Sequence, residues 1–81
     1  MEHEIQITPE HLENGCRCDA GSCPLALAIK DELRLSRVSV GQGRVTFLNG
    51  LSRRLPPEAV KFQEDFDAYQ YVPLLKFKLS V

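Results

Sequence analysis

An α+β domain is the fold class that this 81-residue chain predicts, on three observations. Segments of period-two alternation stand near both ends and in the middle. Two stretches of helical spacing lie between them. Each helical stretch opens with proline in its first turn. The resulting order is β-α(α)-β-β-α-β. A four-stranded, mostly antiparallel sheet with helices on one face accommodates that order, and a ferredoxin-like split βαβ is the expected topology.

The first strand is read from HEIQIT, where Ile5 and Ile7 share one face and Glu4 and Gln6 the other. Thr8-Pro9-Glu10 then supplies a hydroxyl N-cap, a first-turn proline and an acid near the positive helix end. Asn14-Gly15 stops that helix after barely two turns. Beyond the loop that follows, Ser22 or Cys23 caps a second helix with Pro24 in its first turn. Its buried face is Leu25, Ile29 and Leu33 at i, i+4, i+8, with Ala26 and Ala28 for close packing on a sheet.

RVSV-GQG-RVTF reads as a β-hairpin, and Asn49-Gly50 as a second turn. LSRRL after it is either a short edge strand or a loop. Leu55-Pro56-Pro57-Glu58 opens the last helix, with Ala59, Phe62, Phe66 and Tyr69 inward and Lys61, Glu64, Asp65 and Asp67 outward. In VPLLKFKLSV, Leu75, Phe77, Leu79 and Val81 alternate with Lys76, Lys78 and Ser80; the lysines mark a solvent face or a guarded edge. No linker or repeat divides residues 1–81, so one compact domain is expected.

With 43% hydrophobic and 26% charged residues, the composition is that of a globular domain. A chain this short buries only roughly 60–65% of its unfolded surface, so a metal, a disulfide or self-association would add to a marginal core. The net charge of −1 gives no basic excess for duplex nucleic acid. The N-terminal residues show no signal-peptide pattern and no apolar run is long enough to span a bilayer, so a cytoplasmic location is expected.

All three cysteines fall within GCRCDAGSCPLALAIK. His11, Cys16, Cys18 and Cys23 supply four donors for zinc, but Cys16-x-Cys18 is tighter than the usual knuckle and Cys18-x4-Cys23 looser. A Cys18–Cys23 disulfide is geometrically easier than Cys16–Cys18, although the odd count and a reducing compartment oppose it. The third reading makes Cys23 a small buried cap and leaves Cys16 and Cys18 in a surface loop. Metal-bound or free, the thiols stay open at this point, and no metal or other cofactor is assigned.

No nucleotide loop, zinc-hydrolase or nucleophile-elbow motif is present, and no histidine stands in sequence as a base for Cys23, so a non-enzymatic protein is expected. Binding is better supplied. Arg44, Arg53 and Arg54 carry guanidinium forks suited to phosphate, and Tyr69 and Tyr71 carry rings that stack on a base. These five residues form the candidate ligand site.

At Ile5-Gln6-Ile7-Thr8-Pro9-Glu10-His11-Leu12 and Cys23-Pro24-Leu25-Ala26-Leu27-Ala28, the chain resembles a family of small, mostly uncharacterised tailed-phage accessory proteins. The glycine-turned hairpin from Val40 to Val45, the run Leu55–Val60 with Phe62 and Phe66-Asp67, and a final strand near Val72–Leu79 extend the similarity. The family often has C-x2-C-P, whereas Cys18 to Cys23 here is two residues longer. Small phage proteins of this kind frequently counter host defence by binding, one class as oligomeric sponges for cyclic nucleotides. The resemblance thus implies a homo-oligomer in an infected bacterial cell that sequesters a nucleotide immune signal, arginines on phosphate and a tyrosine on a base. The alternative is a protein-binding inhibitor or adaptor acting on a host defence protein, with or without a zinc-stabilised cysteine loop.

Overall fold

In the computed structural model, which describes residues 2–16, 19–41, 43–48, 50–68, 70, 72 and 74–80, alternation decides which residues enter the core. Strand β1 (Glu2–Gln6) pairs antiparallel with β5 (Lys76–Ser80), Ile5 opposite Phe77 and Glu4 opposite Lys78. A further bond from Ile7 N–H to the Leu75 carbonyl (2.9 Å) extends this ladder. Ile5, Ile7, Phe77 and Leu79 are buried, while Lys76 and Lys78 face solvent, and Lys78 Nζ reaches Glu2 Oε1 at 3.8 Å.

Strands β2 (Val38–Gly41), β3 (Arg44–Phe47) and β4 (Ser52–Arg54) form a second antiparallel sheet in chain order. Gly41 pairs with Arg44, so β2 runs one residue further than the RVSV segment that the sequence predicts as its extent. Gly43 takes φ +75°, a conformation that favours glycine. LSRRL resolves as the edge strand β4.

The expected single four-stranded sheet is therefore two sheets of two and three strands. A ferredoxin-like arrangement needs β1 beside β3 as well as beside the last strand. Here β2 and β4 occupy both edges of β3, and among the described residues no β1–β3 ladder forms. The α+β class and the element order hold.

Helix α2 (Pro24–Leu33) joins the two sheets, packing against β1, β2 and the short helix α1 (Pro9–Asn14). Leu25, Ala26, Ala28 and Ile29 are buried along it. Helix α3 (Pro57–Asp67) buries Ala59, Phe62 and Phe66, with the two phenyl rings stacked at 6.4 Å between centroids. Asp65 and Asp67 are half-buried, not fully outward. Fully burying each large side chain of this core contributes about 1.5–3 kcal/mol. Among the described residues, no helix is long and apolar enough to cross a membrane.

Candidate functional site

The cysteine stretch is structural where it is described. Cys23 is the N-cap of α2: its backbone is extended (φ −71°, ψ 163°) and its Sγ accepts from Ala26 N–H at 3.4 Å. Burial pushes its thiol above the ordinary value, outweighing the backbone N–H groups of Ala26 and Leu25 that favour thiolate. A buried thiol held protonated is a poor nucleophile. Cys16 is exposed, and both it and Cys23 are free thiols. Cys18 lies outside the described residues.

His11 has a different occupation from the metal ligand or base considered from sequence. Thr8 N–H donates to His11 Nδ1 (3.0 Å) and His11 N–H donates to Thr8 Oγ1 (3.4 Å), a reciprocal capping box with histidine in the place of glutamate. Nδ1 thus accepts, so the proton is on Nε2, which donates to Asp31 Oδ2 at 2.6 Å. Both ring nitrogens are in use. Among the described residues no group of three or more histidine, cysteine, aspartate or glutamate side chains could hold a metal ion.

Residues 19–22 make a tight turn, with Gly21 N–H on Asp19 Oδ1 (3.0 Å) and Ser22 N–H on the Asp19 carbonyl (3.2 Å). The Ala20 carbonyl accepts Val40 N–H at 2.8 Å, so this turn covers part of the open edge of β2. Lys30 Nζ donates to the Gly21 carbonyl (2.8 Å) and holds the turn to α2.

The predicted arginines divide between two surfaces. Arg44 on β3 lies directly opposite Arg54 on β4, whereas Arg53 lies opposite Val45, on the other face. Arg44 and Arg54 border a concavity of about 490 Å³ together with Pro57, Val60, Lys61 and Glu64. Among the described residues neither guanidinium forms an ion pair, and Arg44 Nη1 contacts only Ser52 Oγ, at 3.5 Å. Lys61 pairs with Asp65 at 3.4 Å across one helical turn. Tyr69 and Tyr71 lie outside the described residues.

Arg53 instead lines an open groove of about 620 Å³ at the C-terminal end of α2. Leu33, Leu35, Phe47, Leu48 and Leu51 give it an apolar lining, and Arg34 and Arg37 join Arg53 as its cations. Arg34 has φ +55°, the left-handed residue after α2, where its own N–H and that of Leu35 (3.0 Å) both bond the Lys30 carbonyl. Glycine is the relaxed residue at such a cap. Of this second surface the sequence reading named only Arg53. The available signal was leucine on both sides of the Asn49-Gly50 turn, where an exposed loop ordinarily carries polar residues.

Compared with known proteins, the chain matches no family model, and neither curated proteins nor solved structures give a match.

Proposed function

We propose that this chain is a non-enzymatic binding protein that sequesters an anionic nucleotide signal of the cyclic di- or trinucleotide class, with phosphate held between Arg44 and Arg54. The observation that carries the reading is the direct cross-strand opposition of those two arginines beside one concavity, with no carboxylate among the described residues paired to either. Like charges directly opposite on a sheet destabilise it, and a bridging phosphate reverses the sign of that interaction. Lys61 adds a third cation, while Pro57 and Val60 offer apolar surface to a base. Two or more subunits completing each pocket fit a protein of this size. The setting in an infected bacterial cell, against host defence, rests on the resemblance to phage accessory proteins.

Isothermal titration against a panel of cyclic di- and trinucleotides tests the reading. Binding of at least one member is expected, weakened by salt and lost in Arg44→Ala and Arg54→Ala. No heat with any member, from folded protein, rejects it. The second reading, a protein-binding module, is favoured by one specific observation: leucines exposed around the other arginine surface.

A further inference from the structure

We propose that the groove at the C-terminal end of α2 is a docking site for an acidic, amphipathic segment of a partner protein. Four large hydrophobic residues are exposed among the described residues, and three of them line this groove: Leu48 (74%), Leu51 (52%) and Leu35 (38%). Leucines on the turn between β3 and β4 face the cap of α2 across the opening, with half-buried Leu33 and Phe47 between them. An apolar concavity rimmed by charge has the layout of an interface, an apolar centre with a polar rim.

Charge selects the occupant. Among the described residues, Arg34, Arg37 and Arg53 line the groove against a single carboxylate, Glu32, which already has His3 Nδ1 at 4.0 Å. A partner with leucine or phenylalanine anchors flanked by aspartate or glutamate complements both features, and arginine favours it through forked hydrogen bonds to carboxylate. A second copy of this chain is a poorer occupant, because a two-fold contact would set the same arginines against one another. The conformation of Arg34 supports selection for its side chain. A left-handed backbone costs an ordinary residue energy that glycine avoids, yet arginine stands there and reaches the groove.

The test is selection from a displayed library of 16-residue peptides on the full chain, counter-selected on a Leu48→Glu/Leu51→Glu variant. Both substitutions are at exposed positions, and circular dichroism checks that the variant is folded. Enriched peptides are expected to place apolar residues at helical or alternating spacing among aspartates and glutamates. Their affinity, read by fluorescence anisotropy, is expected to fall about tenfold or more in the variant and in Arg37→Glu. Weakening at high salt is expected as well. Enrichment of basic or uncharged peptides overturns the proposal, as does failure to enrich any sequence over the variant. A doubled solution mass of the free chain, abolished by the leucine substitutions, overturns it in favour of self-association.

Discussion

His11 and Asp31 tie α1 to α2 through a 2.6 Å hydrogen bond from Nε2–H to Oδ2, while the other ring nitrogen accepts Thr8 N–H at 3.0 Å. One imidazole therefore closes the capping box of the first helix and fixes that helix to the second. The two partners are not equal. The His11 side chain is 11% exposed and that of Asp31 74%, so removing the histidine orphans the part-buried Thr8 N–H and opens a void, whereas removing the aspartate takes away one partner of the ring and leaves the ring packed.

His11→Ala should accordingly lower stability by about 1–3 kcal/mol, the combined loss of a cap bond and a buried side chain. Asp31→Ala should cost about 0–1 kcal/mol, as expected of an exposed polar contact. Urea denaturation of both variants measures the difference. Equal losses would show that the bond to Asp31, and not the burial of the ring, holds the helices together.

Gly15→Ala should destabilise by about 1–3 kcal/mol for a steric reason. A Cβ at Gly15 would stand 2.6 Å from Pro24 Cδ and 2.8 Å from the His11 carbonyl oxygen, although the backbone there (φ −74°) suits any residue. Gly41→Ala, with no atom within 4 Å of its Cβ, should be close to neutral. Thermal melts of the pair separate crowding from chain flexibility.

Arg34→Gly should raise stability by about 1 kcal/mol, because glycine adopts the left-handed cap without strain. The same variant should weaken the acidic peptides selected on the groove. Higher melting temperature with unchanged peptide affinity would mean that the arginine serves nothing there.

The Arg44–Arg54 opposition gives a parallel expectation on the other surface. Arg44→Ala or Arg54→Ala should leave the free protein as stable or more stable, by up to about 1 kcal/mol, since a like-charged pair is relieved. A bound cyclic nucleotide should raise the melting temperature of the parent and not of these variants.

Cys23 sets an alkaline limit. Burial raises its folded-state value above 9.0, the ordinary one, so the native state holds the thiol proton more tightly than the unfolded chain. The associated stability is fully present below pH about 9 and is lost as pH rises through that value toward the folded-state one. Cys23→Ser retains a capping oxygen and should remove this part of the decline above pH about 9. Alkylation mapped by mass spectrometry should label Cys16 in the native protein and Cys23 only on unfolding.

The strands and helices were legible because their signals are local. Ile5-x-Ile7 and Phe77-x-Leu79 alternate, and Leu25, Ile29 and Leu33 follow helical spacing. Thr8 and Cys23 cap, and prolines open each helix. How strands combine is not local. LSRRL had two readings, and its pairing as β4 is what closes β3 to β1 and splits the sheet. The arginine site divided for a similar reason. Adjacent residues of a strand point to opposite faces, so Arg53 and Arg54 cannot both join Arg44. Residues 34–37 are separated in sequence from Leu48 and Leu51, and the packing of α2 over the meander is what makes them one groove.

The pairing of Glu2 with Ser80 has a consequence for the order in which the chain assembles. The β2–β3–β4 meander closes loops of a few residues, whereas the β1–β5 ladder must gather almost the whole polypeptide into one loop before its first bond forms. The meander and the α2 segment beside it therefore offer a template on which the terminal strands arrive last. Amide exchange should find the terminal ladder opening at a lower free energy than β3, with both arginine-bearing surfaces retained while it does so.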